Sequence, residues 1–103
     1  MKKSSVLIVD DEESIRVSLE GILKNQYYTK TAESGSMALE MLQNYHYDLI
    51  LTDIMMDVMS GIELLKKIKK KFPETPVVLM TGYSSLDTAV EAIRLGASDY
   101  LIK

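Results

Sequence analysis

Short apolar runs of the sequence are followed by polar residues that could do chemistry. Residues 10–13, all acidic, follow the first run, Asp53 and Thr81 follow two later runs, and Lys103 follows the last. Clustered carboxylates repel one another unless a cation joins them, and a few oxygen ligands with room for water suit Mg²⁺. A carboxylate beside Mg²⁺ can attack a phosphoryl group, whose oxygens a hydroxyl and an ammonium can bind. This set of residue types predicts magnesium-assisted phosphoryl chemistry.

The same residues also have ordinary structural interpretations. Acidic residues after a strand often cap the next helix, so capping and cation binding both remain open for residues 10–13. A single aspartate at a strand end, such as Asp53, is commonly a turn residue, and Lys103 alone would be taken as solvated. Only their joint occurrence at successive strand ends favours a functional site.

The elements that must position these residues follow from the apolar pattern. Short, β-rich runs are typical of strands buried on both faces of a parallel sheet; they cover residues 6–9, 49–51 and 77–80, with weaker candidates at 27–31 and 100–102. Between them, apolar residues recur at helical spacing in stripes that begin at Ile15, Ala38, Ile62 and Leu86. Gly96 is placed to end the last helix. Strict alternation predicts an α/β domain with a parallel sheet, whose ligands bind at the carboxyl ends of the strands.

Composition excludes several other classes of protein. The 103 residues are enough for one domain, and 12 basic against 15 acidic residues leave a formal charge of -3, which gives no reason to bind nucleic acid. No cysteine is present, and His46 is the single histidine, so thiol chemistry and multi-histidine metal sites are excluded. Apolar runs of about five residues are far too short to span a membrane. Without a signal peptide, we expect a cytoplasmic protein that binds neither membrane nor nucleic acid.

Four segments together resemble the receiver domain of two-component response regulators. The acidic segment 9–13 is similar to the family's acidic pocket, 51–56 to its phosphoacceptor segment, 80–82 to its strand-four hydroxyl, and 96–103 to the segment that ends in its lysine. Residues 82–90 resemble receivers attached to nitrogen-regulation-type transcription activators. The resemblance covers essentially the whole chain, residues 1–103, as one receiver domain.

The resemblance implies a fold and a set of roles. The fold would be a flavodoxin-like, doubly wound parallel sheet with strand order 2-1-3-4-5. A sensor histidine kinase would phosphorylate Asp53. The family's Mg²⁺ site corresponds to the side chains of three aspartates and one main-chain carbonyl: Asp10, Asp11, Asp53 and Met55.

The remaining implied roles concern the phosphoryl group and its readout. Thr81 and Lys103 would bind the phosphoryl oxygens, and Thr81 and Tyr100 would form the conformational switch. The resemblance implies a phosphorelay signalling module rather than a turnover enzyme, attached in the full-length protein to an output domain that regulates transcription.

The sequence departs from the family pattern at two places. Asp57 stands where the family usually has proline, which adds a negative charge near the phosphoacceptor. The family continues past its lysine with a fifth helix, whereas this sequence stops at Lys103, so we expect a C-terminally truncated domain with four helices and an exposed apolar sheet face. That face could support a homodimer or a domain-swapped oligomer.

Two other functions remain as alternatives. One is a magnesium-dependent phosphohydrolase, which also uses an aspartyl nucleophile on a parallel sheet. Sequences that resemble such enzymes have a D-x-D pattern after the first strand, and Asp10-Asp11-Glu12 lacks the spaced second aspartate. The other alternative is a receiver-like interaction module that is not phosphorylated in this form. The intact set of candidate residues argues against it, and the expected loss of the fifth helix argues for it.

Overall fold

Five β-strands alternate with four α-helices in the computed structural model, which describes residues 3–82 and 86–102. The strands are β1 (Ser5–Val9), β2 (Tyr28–Ala32), β3 (Leu49–Asp53), β4 (Val77–Thr81) and β5 (Asp99–Ile102). The helices are α1 (Glu13–Leu23), α2 (Gly35–Asn44), α3 (Gly61–Lys71) and α4 (Leu86–Arg94). The predicted order of elements is confirmed, including the two weaker strand candidates.

All five strands lie in one parallel sheet with the order β2-β1-β3-β4-β5. The pairing brings the carboxyl ends of neighbouring strands to one edge, because Val9 pairs with Thr52 and Thr81 pairs with Ile102. The molecule therefore has the predicted flavodoxin-like, doubly wound α/β fold.

The two faces of the sheet are covered unequally. Alternate side chains point to opposite faces, so Leu7 and Val9 join a large core with residues of α2, α3 and α4, whereas Val6 and Ile8 join a smaller core on the α1 side. Because both faces are covered, the central strands are apolar at nearly every position. This explains the continuous apolar runs of the sequence.

The α1 side of the sheet is the thinner one. None of the residues of α1 is buried, and its Ile22 is 71% exposed. Leu101 of β5 pairs in register with Met80, which belongs to the α1-side core, yet Leu101 is 46% exposed. The expected exposure of the sheet face is therefore found at its β5 edge alone among the described residues, because the other α1-side core residues are buried: Val6, Ile8, Leu51 and Met80.

The ends of the helices follow local sequence signals. The Ser34 hydroxyl accepts a hydrogen bond from the main-chain N–H of Met37 at 3.1 Å, and the Ser60 hydroxyl accepts one from that of Glu63 at 3.2 Å. These serines cap the amino ends of α2 and α3. Gly96 adopts a positive φ of 103° just after α4, as predicted for a residue that ends the helix.

Candidate acidic phosphoryl site

Asp10 follows β1 directly and is fully buried. Its main-chain N–H donates to the carbonyl of Ala32 at 3.1 Å, and its own carbonyl accepts a 2.7 Å hydrogen bond from the Arg16 guanidinium. Its Oδ1 accepts from the main-chain N–H of Glu12 at 3.0 Å, whereas the Glu12 side chain makes no capping bond to α1. The Asp10 carboxylate thus fixes the turn that precedes α1, which is close to the capping role that the sequence left open.

Carboxylate oxygens of Asp10, Asp11 and Glu12 lie within 4.8 Å of one another, close enough to share one metal ion. Hard oxygen donors of this kind suit Mg²⁺, and burying Asp10 is costly unless positive charge or hydrogen bonds compensate it. The donor set therefore fits Mg²⁺. The sequence left cation binding open for all four residues 10–13, and the structure places Glu12 beside the two aspartates.

Asp53 is the last residue of β3 and is only 3% exposed. Its Oδ1 accepts a hydrogen bond from the main-chain N–H of Met55 at 3.3 Å. The Thr52 hydroxyl donates to the Asp53 carbonyl at 3.1 Å, and the next N–H, of Ile54, donates to the carbonyl of Met80 at 2.9 Å. A side-chain bond to the Asp53 carbonyl and a main-chain bond at Ile54 therefore fix the backbone that carries the Asp53 carboxylate.

Gly61 allows α3 to begin directly against the end of β3. Its N–H donates to the carbonyl of Ile54 at 2.9 Å. A Cβ built on Gly61 would overlap the carbonyl of Asp53 and come within 2.8 Å of the Ile54 Cα. Since both obstacles are backbone atoms, only glycine fits here without moving the chain that carries Asp53.

The loop after β3 is tied to the loop after β1. The main-chain N–H of Asp57 donates to Oδ2 of Asp11 at 3.2 Å. Met55 belongs to the same loop, between Asp53 and Asp57. Its side chain is exposed, and its main-chain N–H donates to Asp53. The structure thus brings the Asp11 and Asp53 segments together, as the sequence predicted.

Thr81 ends β4 and is 1% exposed. Tyr100 of β5 is half-buried and packs against the large core, and its hydroxyl is buried without a hydrogen-bond partner among the described residues. Thr81 and Tyr100 lie on paired strands, where Thr81 pairs with Ile102. Lys103, the predicted phosphoryl-binding lysine, lies outside the described residues.

His46 lies near the opposite edge of the sheet, away from these residues. It is exposed, and its Nε2 lies 3.2 Å from Oδ1 of Asp48. The Ser5 N–H donates to Oδ2 of Asp48 at 2.8 Å, and this bond, followed by those from His46 and the Ser5 hydroxyl, lowers the pKa of Asp48. Burial raises the pKa of the neighbouring Tyr47. These groups link the amino ends of β1 and β3 and are not part of the acidic site.

The fold and the site together define a class of protein. Its members are flavodoxin-like α/β domains with buried aspartates and a threonine at the carboxyl edge of the sheet. Residues 6–103 match the response regulator receiver domain family, and the chain belongs to that family. The family predicted from the motifs is therefore confirmed. The chain is a receiver domain of two-component signal transduction.

Its relatives include receivers of transcription regulators. The chain is 48% identical over 99 residues to the transcriptional regulatory protein ZraR of Klebsiella oxytoca, covering 95% of this chain and 22% of that protein. It is 45% identical over 104 residues to the DNA-binding transcriptional regulator NtrC of Escherichia coli (strain K12), covering 100% of this chain and 22% of that protein. This confirms the predicted similarity to nitrogen-regulation-type activators. The chain spans about a fifth of the length of these relatives.

Solved structures show the same fold. The chemotaxis protein CheY4 of Vibrio cholerae superposes with a TM-score of 0.94 at 32% identity, covering 99% of this chain and 88% of that chain. The response regulator TrrA of Thermotoga maritima, solved in complex with Mg²⁺-BeF, superposes with a TM-score of 0.88 at 35% identity, covering 97% and 86%. Among the described residues, no helix has both the length and the apolar character that a membrane span requires.

Proposed function

We propose that this receiver domain accepts a phosphoryl group on Asp53 from a sensor histidine kinase. The observation that carries the proposal is the position of Asp53, which is buried at the end of β3 and hydrogen-bonded by the Met55 N–H. The loop that follows is bonded to Asp11 of the acidic cluster. A nucleophile fixed in this way meets the main requirement of phosphoryl transfer, which is positioning.

In the transfer step, a carboxylate oxygen of Asp53 attacks the phosphorus of the donor phosphohistidine. A new O–P bond forms, the P–N bond breaks, and its electron pair returns to the imidazole nitrogen, which takes up a proton. Asp53 is not regenerated by the same step, so the product is a phosphorylated protein and not a released metabolite. This accounts for a signalling module that does not turn over a substrate.

Mg²⁺ would be held by three carboxylates and a main-chain carbonyl, those of Asp10, Asp11, Asp53 and Met55. When bound, it supplies positive charge against the negative charge of the phosphoryl oxygens. The acidic cluster around the buried Asp10 supports this assignment. The related TrrA structure, which contains Mg²⁺-BeF, supports it as well.

Thr81 and Lys103 would bind the phosphoryl group, the hydroxyl as a donor and the ammonium as a positive charge. Thr81 moving toward the phosphoryl group would vacate space beside Tyr100. A buried Tyr100 hydroxyl without a partner among the described residues costs free energy, which favours a second position for this ring once space opens. We propose this movement as the switch of the output face.

In the full-length protein, the switch would act on an output domain. The similarity to ZraR and NtrC, both named as regulators of transcription, supports a transcriptional output. The partners we propose are therefore a sensor histidine kinase before the transfer and a DNA-binding output region after it. The acidic receiver itself would not contact nucleic acid.

The proposal is tested by the intact mass of the chain after incubation with Mg²⁺ and acetyl phosphate. We expect the addition of one phosphoryl group to the natural chain and none to Asp53→Asn. Asp48→Asn is the matched control, because it removes a carboxylate at the opposite edge of the sheet and should leave the addition intact. Equal addition to the natural chain and to Asp53→Asn would contradict the proposal.

The exposed apolar surface on the α1 side favours one second candidate, an interaction module that is not phosphorylated. Leu101 of β5 and Ile22 of α1 are both exposed. A folded chain that gains no mass with acetyl phosphate and Mg²⁺, yet associates with itself, would select this candidate. The mass measurement therefore separates the two.

A further inference from the structure

Asp57 is an exposed residue of the loop between β3 and α3, and the cavity that it borders together with Asp11 is called the pocket mouth below. Its main-chain N–H reaches Oδ2 of Asp11 at 3.2 Å. Asp57, Asp11 and Glu33 border a single cavity of about 190 Å³ beside the amino end of α2. Asp57 has no part in the proposed phosphoryl transfer. Its bond to Asp11 and its place beside the cavity therefore indicate another role.

The main-chain N–H of Asp57 restricts the Asp11 carboxylate. Asp11 lies in a short loop and is more exposed than the buried Asp10, so without this bond its side chain would populate several rotamers. Holding one rotamer in advance removes part of the entropy cost of binding a cation. A carboxylate oxygen has two lone pairs, so Oδ2 can accept the N–H and still bind a cation.

The side chain of Asp57 adds negative charge beside a cluster that is already acidic. Among the described residues, the ion pair within 4.0 Å is that of His46 and Asp48, so no lysine or arginine of these residues forms an ion pair with Asp11, Glu33 or Asp57. The field of these carboxylates attracts a divalent cation twice as strongly as a monovalent one at the same distance. Because the mouth is open to water, this attraction should fall as salt is added.

We propose that Asp57 is a positioning residue that raises the affinity of the pocket for Mg²⁺. Its N–H orients Asp11, and its carboxylate strengthens the field at the pocket mouth. The inference rests on the proposed function, since it takes the acidic cluster as the Mg²⁺ site.

Two substitutions separate these contributions in calorimetric titrations with Mg²⁺. Asp57→Asn keeps the N–H and removes the charge, so we expect the Kd to rise about threefold at low salt and by less at about 0.5 M salt. Asp57→Pro removes both, so we expect a further rise of about threefold that persists at high salt, because rotamer restriction is not screened. Glu74→Gln is the control, since it changes the net charge equally at the opposite edge of the sheet.

The outcomes distinguish this inference from the proposed function. If the natural chain does not bind Mg²⁺, both fall. If it binds Mg²⁺ and Asp57→Asn has the same Kd as Glu74→Gln at low salt, only the role of Asp57 is overturned. A salt-independent effect of Asp57→Asn would equally overturn the electrostatic contribution. If thermal unfolding shows that Asp57→Pro is not folded, the Asp57→Asn comparison decides alone.

Discussion

At the scale of single residues, two glycines of this chain have opposite roles. Gly61 faces the backbone of Asp53 and Ile54, whereas a Cβ on Gly21 of α1 would have no atom within 4 Å. We expect Gly61→Ala to destabilise the fold by about 3 kcal/mol, because backbone must move. Gly21→Ala should stabilise it by about 0.5–1 kcal/mol, because alanine favours the helix.

Urea unfolding followed by circular dichroism would measure both changes. Gly61→Ala should also weaken Mg²⁺ binding, since the displaced backbone carries Asp53, while Gly21→Ala should leave binding unchanged. Equal stability of the two variants would show that α3 can shift away from β3 without cost, contrary to the geometry.

Asp48 predicts a specific dependence of stability on pH. Its pKa in the folded chain is lowered from 3.8, first by the Ser5 N–H and then by His46 and the Ser5 hydroxyl. The stabilisation is therefore present above pH 3.8 and is lost as the pH falls through the lower pKa of the folded state. The stability difference between the natural chain and Asp48→Asn should shrink in that acid range, as measured by urea unfolding at a series of pH values.

His46→Gln is the control for this prediction, because it leaves the Ser5 bond to Asp48 in place. It should keep most of the acid dependence. A difference between the natural chain and Asp48→Asn that stays constant down to the lowest pH would show that the carboxylate charge at this position does not stabilise the fold.

Much of the candidate site could be predicted from residue types at strand ends. Asp10, Asp53 and Thr81 each follow or end an apolar run, and parallel pairing then requires them to meet at one edge. The bond from Asp57 to Asp11 could not be predicted, because it depends on the path of a loop whose residues have no period. The close approach of Gly61 to β3 was hidden for the same reason: a glycine in the sequence does not show which backbone lies beside it.

At the scale of elements, the helix starts differ in how they are capped. Ser34 and Ser60 accept main-chain N–H groups at the starts of α2 and α3, whereas the Glu12 side chain makes no such bond at the start of α1, and Asp10 accepts the N–H of Glu12. Ser34→Ala and Ser60→Ala should each cost about 1 kcal/mol of stability. Asp10→Asn, which keeps an oxygen acceptor, should cost less stability than either but should weaken Mg²⁺ binding strongly.

Thermal unfolding together with calorimetric Mg²⁺ titration would test these three variants. Ser36→Ala is a suitable control, because Ser36 is an exposed residue in the first turn of α2 and is not the cap. If Ser36→Ala is as destabilising as Ser34→Ala, the hydrogen bond to the Met37 N–H does not account for the effect.

The type and order of the elements were predictable because the apolar pattern distinguishes continuous runs from helical stripes. The strand boundaries were less so: β1 begins at Ser5 and β3 extends to Asp53, each beyond its apolar run. Main-chain hydrogen bonds to neighbouring strands extend both strands through polar residues. The hydropathy pattern cannot show these hydrogen bonds. The apolar stripe of α1 predicted a helix correctly, but not that none of its residues would be buried.

At the scale of the whole molecule, we propose the exposed Leu101 at the β5 edge as a contact if copies of the chain associate. Leu101 lies on the α1 side of the sheet, and Val90 belongs to α4 on the other side. Both side chains are 46% exposed, so Val90 is a matched control for Leu101. If two copies meet through the α1 side, Leu101→Gln should weaken association about tenfold, whereas Val90→Gln should have little effect. Sedimentation equilibrium at several concentrations would measure this, and the reverse ranking would place the contact on α4.

We propose that Asp53, and no other carboxylate near the acidic cluster, receives the phosphoryl group. Borohydride reduction of the phosphorylated chain converts an aspartyl phosphate to homoserine, and tandem mass spectrometry of the peptides then locates that residue. We expect homoserine at position 53 alone. Homoserine at position 10, 11 or 57, or a phosphorylated chain without any homoserine, would contradict it.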